Sequence, residues 1–396
     1  MAPIPRLKDY TGPAVLSYGF RPFFLLGSLY AGLAILAWLP MFQGELQLTT
    51  LLAARDWHVH EMLYGYLPAV ITGFLLTAIP NWTGRLPLQG KPLLALVLAW
   101  FAGRIAVTTS AWVGWLPATL IDLSFLTLVA AAAGREIISG RNWRNLPVLI
   151  ALTLLLVGNG VFHAEAHLQG LAEYGTRIGI ATGVLLVMLI GGRVVPSFTR
   201  NWLVKENPGR LPTPFGAFDK VSMATSGAAM LVWVGSPGHA VTGAALVACG
   251  ALQSVRLARW AGDRTWRDRL VLILHVAYAF VPLGFVLVGM SSLGLNIPPA
   301  AGIHAWTGGA LGIMTLAVMS RASLGHTGRA LAATTATQVV YVLAVLSVLA
   351  RVCASLHTSW TMPLLVTAAL AWAAAFIGFA VIYWGVLTRP RVRQGA

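Results

Sequence analysis

The sequence predicts an all-α polytopic membrane protein with about twelve transmembrane helices. The first indication is composition: 57% of the 396 residues are hydrophobic and 10% are charged, whereas about 25% of a soluble protein is charged. The second is a series of apolar runs, each near the length of about 20 residues that a helix needs to cross a bilayer. The third is the concentration of Arg and Lys in alternate loops, which predicts that both termini lie in the cytoplasm.

The apolar runs follow one another without a linker long enough for a soluble domain. Their approximate cores are 20–41, 62–80, 92–110, 113–133, 146–166, 176–197, 219–235, 239–257, 270–291, 301–320, 332–354 and 361–387. The seventh run is short and rich in glycine, so its limits are the least sharply marked. We therefore predict one transmembrane domain over residues 1–396, with a cytoplasmic segment at 1–19 and a basic cytoplasmic tail at 388–396.

Loop charge predicts the orientation and explains the formal net charge of +15. The N-terminal segment, the even-numbered loops and the tail carry Arg6, Lys8, Arg85, Lys91, Arg135, Arg141, Arg144, Arg200, Lys205, Arg210, Arg256, Arg259, Arg264, Arg267, Arg321, Arg329, Arg389, Arg391 and Arg393. The odd-numbered loops carry almost none, with Arg55, Arg177 and Arg351 as the exceptions. This is the positive-inside pattern. Because the charges do not form one patch, they give no reason to expect a nucleic-acid partner.

Processing signals and covalent cysteine chemistry are not expected. Residues 1–10 are polar and basic and lack the apolar core of a cleavable signal peptide, so the first apolar run is predicted to stay as a span. Cys249 and Cys353 lie in separate apolar runs and are interpreted as small buried hydrophobic residues, not as a disulfide or a thiolate metal site.

The segment Trp57-His58-Val59-His60-Glu61, at the mouth of the second apolar run, contains the main candidate functional residues. The predicted orientation places five of the nine histidines at the outer ends of the second, fifth and tenth helices. They are His58, His60, His163, His167 and His304. Each one taken alone is equally well explained as an interfacial hydrogen-bonding residue. Their common depth favours a metal site, since imidazole is the commonest protein metal ligand.

Spacing leaves the arrangement of these residues open. His163 and His167 share one helix face, so both could hold one metal, or one could orient the other. His58 and His60 point about 200° apart if the segment is helical and share a face if it is extended. Glu61 and Glu165 are candidate catalytic proton carriers, but each could also be a hard ligand, a hydrogen-bond acceptor for a ligand or a rim carboxylate without a task.

A second group of polar residues is predicted near the inner ends of the helices. It follows from the segments 81–85, 191–201 and 321–329. Arg193 and Arg321 could bind propionates, an anionic headgroup or another small anion, or could equally be helix-end residues that extend toward lipid phosphate. With His275, an intramembrane ionisable residue, and His326, they are candidates for binding a second cofactor or a quinol.

Two charges fall inside predicted spans. Arg104 in the third span and Asp122 in the fourth can pair across adjacent antiparallel helices, and a structural ion pair is favoured over catalysis because buried charges need partners. Nucleotide-binding and nucleophile-elbow motifs are missing from the sequence. A Cys-x-x-Cys-His attachment motif is also missing, so any haem would be bound non-covalently.

Six motifs together resemble the NnrS family over about Phe20 to Arg329. They are FRPFF at 20–24, WHVHEM at 57–62, FLLTAIPNWTG at 74–84, RNWRN at 141–145, GGRVVP at 191–196 and LGHTGR at 324–329. The resemblance implies a multi-pass protein of the bacterial inner membrane that contains haem and copper and is linked to denitrification and nitric oxide resistance. It also implies a distant similarity to haem–copper oxidases and nitric oxide reductases.

From the grouping of histidines at the outer side we expect His58, His60, His163 and His304 to be the ligands of a redox centre that contains haem, with His167 as an extra or supporting ligand. The expected cofactors are b-type haem and, as a further possibility, copper; the expected partners are nitric oxide, membrane lipid and a quinol or another electron donor. The pattern departs from that of the oxidases, whose sixth and seventh helices supply copper ligands, because here the predicted sixth and seventh spans contain no histidine. The favoured function is an oxidoreductase similar to nitric oxide reductases. The alternatives are a haem or metal transporter and a non-catalytic nitric oxide sensor or assembly factor.

Overall fold

A computed structural model describes residues 10–83 and 87–392, and within these ranges the chain is helical with no β-strand. Twelve long helices follow one another within the described residues. They are α1 Phe20–Gln43, α2 Ala54–Pro80, α3 Lys91–Thr108, α4 Trp115–Ser139, α5 Trp143–Gln169, α6 Tyr174–Glu206, α7 Ala217–Gly235, α8 Ala240–Ala258, α9 Arg269–Ser292, α10 Pro299–His326, α11 Thr335–Leu356 and α12 Thr358–Thr388.

Eleven of these helices are long and apolar enough to cross a bilayer. The predicted all-α multi-pass membrane protein is therefore confirmed. The remaining helix, α7, has the 19 residues of a short span but carries Asp219 and Lys220 in its first turns, which lower its mean hydropathy. The cytoplasmic placement of the termini stays a prediction. Residues 1–9, Gly84, Arg85 and Arg393, on which part of that prediction depends, lie outside the described residues.

Three helices change locally to π-helical geometry. The π segments are Glu61–Tyr66 in α2, Val187–Gly191 in α6 and Ala305–Ile313 in α10. The first follows His60 directly and the third follows His304 directly. A π segment shifts the register of the side chains that follow it and often occurs at functional sites, so these helices are modified next to two of the candidate histidines.

The described residues form two compact units. The first lies within Met1–Gly179, Ala322–Ala330 and Phe376–Ala396, and the second within Ile180–Arg321 and Leu331–Ala375. Within the first unit, Gly175 at the start of α6 packs directly on the backbone of α5, since a Cβ at this position would lie 2.5 Å from the Phe162 nitrogen. The prediction of one domain stays a prediction.

Candidate metal centre

The first unit buries a cluster of polar side chains that comes from five helices. Its members are Tyr30 of α1, His60 and Glu61 of α2, Arg104 of α3, Asp122 of α4, and Asn159 and His163 of α5. All except the half-buried Tyr30 are almost completely removed from solvent. Such burial is costly unless each group has partners, and the hydrogen bonds inside the cluster supply them.

The carboxylate of Asp122 is the centre of this cluster. Its Oδ2 atom accepts a hydrogen bond from the Asn159 amide at 2.7 Å and lies 3.1 Å from His60 Nε2 and 3.0 Å from His163 Nε2. Its Oδ1 atom accepts a hydrogen bond from Arg104. One carboxylate therefore links two imidazoles to a guanidinium, and the predicted Arg104–Asp122 pair is confirmed but is not isolated.

The carboxylate of Glu61 forms the second half of the cluster. Its Oε2 atom accepts hydrogen bonds from Arg104 at 2.6 Å and from the Tyr30 hydroxyl, and its Oε1 atom lies 2.9 Å from His60 Nδ1. Gly65, in the π segment of α2, makes room for this pair, because a Cβ there would lie 2.5 Å from an Arg104 nitrogen. The guanidinium of Arg104 thus bridges both carboxylates.

The charges of the ionised groups do not balance. Glu61 and Asp122 carry two negative charges and Arg104 carries one positive charge, and both carboxylates are in direct salt-bridge contact with the guanidinium. A buried net charge is unfavourable. The cluster therefore requires one more positive charge, which a proton on an imidazole or a bound metal cation supplies.

The donor atoms fit a small metal ion. One ligand atom from each of His60, Asp122 and His163 lies within 4.8 Å of the other two. Ligand atoms at about 2.0–2.2 Å from a tetrahedral ion are about 3.3–3.6 Å apart, a few tenths of an ångström more than the observed contacts of 3.0 Å and 3.1 Å. Two imidazoles and one carboxylate are a donor set that first-row divalent metals accept.

The same residues do not fit a haem on His60. Both of its ring nitrogens already lie within 3.1 Å of side-chain acceptors. Its ring is fully buried and packs against Tyr64 and Phe162, with ring centroids 5.7 Å and 5.3 Å away. An axial ligand needs one nitrogen that faces the iron of a flat macrocycle, and this packing offers no such face.

A family model described as NnrS protein matches residues 14–391, which includes all twelve long helices. The chain belongs to the NnrS family. A comparison with curated proteins gave no match.

In each of the two histidine pairs of this NnrS-family chain, one histidine lies in the buried cluster and the other lies outside it. The segment 54–60 is helical, so the helical alternative holds: His60 enters the cluster while His58 stacks on Trp38 with ring centroids 4.4 Å apart. His163 enters the cluster, whereas the exposed His167 stacks on Trp115 at 4.2 Å. The metal-ligand roles of His58 and His167 stay predictions.

The two candidate glutamates likewise lie in different surroundings. Glu61 lies in the cluster. Glu165 instead accepts hydrogen bonds from the backbone N–H groups of Tyr174 and Gly175, at 3.0 Å and 2.8 Å. These are unsatisfied donors of the first turn of α6, so Glu165 stabilises a helix N-terminus. Its catalytic role stays a prediction.

His304 lies in the second unit and is not a member of the His60–Asp122–His163 group. Its Nδ1 atom donates to the Ala300 carbonyl at 2.8 Å. That bond leaves Nε2 as the nitrogen with the lone pair, which is the orientation that metal-ligating histidines adopt. The geometry of His304 is therefore compatible with its predicted role as a ligand.

Two residues of the predicted inner group, His275 and Arg321, contact side chains of α6. His275 Nε2 lies 2.8 Å from the Thr199 hydroxyl, and the guanidinium of Arg321 lies 4.2 Å from the ring centre of Phe198. Arg193 is exposed. His326 belongs to the first unit, where its ring lies 5.6 Å from that of Phe20. The shared cofactor or quinol site of these residues stays a prediction.

Sequence reasoning missed two members of the cluster and underestimated a third. Asn159 lies four residues before His163 within the apolar part of α5, so the i, i+4 spacing is a usable signal. Asp122 was assigned only an ion pair, although a carboxylate inside a span is by default a functional candidate. Tyr30 carried no such signal, because tyrosines are common in spans near the interface.

Proposed function

We propose that this NnrS-family chain is a metal-dependent protein of the bacterial inner membrane that handles nitric oxide, with redox conversion at a centre held by His60, Asp122 and His163. The observation that carries the proposal is the buried group of two imidazoles and one carboxylate, with one negative charge in excess. Family membership fits a nitric oxide-linked membrane protein. The geometry favours a copper or another divalent ion in this group, and a non-covalent haem on another histidine, for which His304 is our candidate.

A metal bound here would supply a site for nitric oxide and a route for electrons. The residues around it position the ligands and hold protons. Asn159 and Arg104 fix the orientation of the Asp122 carboxylate through contacts to its two oxygens. Glu61 accepts from Tyr30 and contacts His60 Nδ1, so it connects the ligand set to a half-buried hydroxyl that can exchange protons.

The burial of the centre suits the substrate. Nitric oxide is small and apolar enough to arrive through the bilayer, so it needs no aqueous channel. Protons do need polar carriers, and Glu61 and Tyr30 form such a pair beside the ligands. The electron donor in this proposal is a quinol or another membrane-associated reductant.

Metal content and the optical spectrum of the purified full-length protein test the proposal. We expect about one metal ion per chain in the wild type, loss of that ion in His163→Ala, and retention in the control His239→Ala, whose side chain is exposed in a loop. A haem signal that persists in His163→Ala and disappears in His304→Ala would support separate centres. Equal metal content in the wild type and His163→Ala would refute the ligand assignment.

Anaerobic consumption of nitric oxide with an artificial electron donor then separates an enzyme from a binder. Turnover that is lost together with the metal in His163→Ala supports redox conversion. Stoichiometric binding of nitric oxide without turnover would instead favour the sensor or assembly factor. Release of the metal across proteoliposome membranes would favour the transporter.

A further inference from the structure

Two motifs that are far apart in the sequence meet in the first unit. One is the start of α1, with Phe20 and Arg21, and the other is the segment that ends α10, with His326 and Arg329. The rings of Phe20 and His326 are 5.6 Å apart. The residues after α12 join them, since Val392 N donates to the Thr327 carbonyl at 3.0 Å.

Gly328 makes this approach possible. Its φ of +74° lies in the left-handed region that favours glycine. A Cβ at this position would lie 2.6 Å from the Val392 carbonyl oxygen, so a side chain would collide with the backbone that follows α12. The glycine thus holds Arg329 beside the ends of α1 and α12.

Arg21 uses only part of its guanidinium within the protein. The side chain is 2% exposed. Its NH1 donates to the carbonyls of Leu387 and Arg389 at 3.0 Å and 2.7 Å and so satisfies the C-terminus of α12. Its Nε is buried without a hydrogen-bond partner in the part of the chain that the structure describes.

Arg329 adds a second buried donor without a partner. The residue is half-buried, and its NH1, like Arg21 Nε, is buried without a hydrogen-bond partner in the described chain. Neither has a salt-bridge partner among residues 10–83 and 87–392. Arg391 lies against Gly328, with its Nε 3.5 Å from the Cβ position of that glycine, and adds a third positive charge nearby.

Besides Arg21, two fully buried arginines of the described chain have acidic partners, although Arg104 also has an Nε without a hydrogen-bond partner. Arg104 contacts two carboxylates and Arg256 contacts Asp219 at 3.0 Å. The buried Arg21 and the half-buried Arg329 have no acidic partner in the described chain, and their buried N–H groups need an acceptor, which an anion can supply. Guanidinium groups match the oxygens of phosphate particularly well because they present several N–H donors in a planar fork.

We propose that Arg21 and Arg329 bind a phosphate group at the ends of α1 and α12, either the headgroup phosphate of an anionic phospholipid or free phosphate. The buried Nε of Arg21 and NH1 of Arg329 donate to its oxygens, and Arg391 adds charge. The predicted orientation places these helix ends at the cytoplasmic surface, where anionic headgroups attract basic residues.

Thermal unfolding of the delipidated full-length protein tests this site, with sodium phosphate and dioctanoyl-phosphatidylglycerol as probes. Sodium chloride at equal ionic strength and dioctanoyl-phosphatidylcholine are the reference additions. The test variant is Arg329→Gln, since Arg21 also satisfies α12. The control is Arg144→Gln, because Arg144 is exposed in the same unit.

We expect a phosphate-bearing probe to stabilise the wild type and Arg144→Gln, and to bind Arg329→Gln about tenfold more weakly, the effect of losing one charge-assisted hydrogen bond. Stabilisation by sodium phosphate identifies free phosphate, and stabilisation by phosphatidylglycerol alone identifies a headgroup. Equal responses of the wild type and Arg329→Gln, or equal effects of chloride, would overturn the proposal. If Arg329→Gln does not fold, Arg329→Lys serves instead and should bind several-fold more weakly because it lacks the fork.

Discussion

Each compact unit contains a buried arginine inside a helix, but the surroundings of the two arginines differ. Arg104 in the first unit contacts the carboxylates of Glu61 and Asp122, which also reach His60 and His163. Arg256 in the second unit contacts one carboxylate, that of Asp219. Its other partners are neutral: the Met188 carbonyl and the Tyr278 hydroxyl, at 3.1 Å and 2.8 Å.

The difference in charge between the surroundings of Arg256 and Arg104 indicates which cluster can bind a cation. The Asp219 carboxylate pairs with Arg256 and lies 4.0 Å from the half-buried Arg259. The Tyr278 hydroxyl extends the hydrogen bonds from Arg256 to Gln253 and two serines. In that network the carboxylates do not outnumber the guanidinium groups. Around Arg104 the carboxylates exceed the guanidinium by one, and two imidazoles stand beside the excess charge. The network around Arg256 is therefore suited to stability, and the cluster around Arg104 is suited to metal chemistry.

The largest effect on stability is expected for Asp219→Asn. This change leaves Arg256 buried without its carboxylate, and breaking a buried ion pair costs about 3–5 kcal/mol. The metal content should not change. Denaturant unfolding and metal analysis of the same preparation check both parts, with Asp263→Asn as the control because Asp263 forms an exposed ion pair. Loss of metal in Asp219→Asn would show that the two clusters are not independent.

The largest effect on metal binding is expected for Asp122→Asn. Removal of the negative ligand should lower metal affinity by more than about a hundredfold, beyond the range that indirect contacts produce. The loss of stability should be smaller than for Asp219→Asn, because Arg104 keeps Glu61 at 2.6 Å. Metal titration followed by calorimetry measures the affinity. An unchanged affinity would remove Asp122 from the ligand set.

A smaller effect is expected for Glu61→Gln, and Glu165→Gln is its matched control. Glu61 contacts the ligand His60 at 2.9 Å, so its neutralisation should lower metal affinity about 10–100-fold. Glu165→Gln should leave the affinity unchanged and cost about 1 kcal/mol of stability through the weakened helix terminus. If Glu165→Gln lowered metal affinity as much as Glu61→Gln, the structural role assigned to Glu165 would be wrong.

The smallest effect is expected for His58→Ala. The His58 ring stacks on Trp38, and loss of such a contact costs about 0.5–1.5 kcal/mol. The metal of the first cluster should remain bound, in contrast to His60→Ala. Metal analysis of both variants decides the point. Loss of metal in His58→Ala would restore the predicted role of His58 as a ligand.

Local sequence determined the membrane character and most of the helix positions. Apolar runs of sufficient length must form helices in a bilayer because every backbone polar group needs an internal partner. This reasoning holds for eleven spans. It is weakest at α7, where Asp219 in the first turn belongs to the buried network around Arg256. The pairing of Arg104 with Asp122 was also predictable from the sequence, because opposite charges inside adjacent spans attract each other and need partners.

Only the tertiary structure decided which candidate side chains meet. His58 and His60 are two residues apart, yet one stacks on Trp38 and the other enters the cluster, because the helical turn sends them to different sides. His163 and His167 share a helix face, but their different heights along α5 give them different neighbours, Asp122 and Trp115. Spacing along one helix sets a direction and a height, whereas the partner at that place comes from another helix whose position no local pattern specifies.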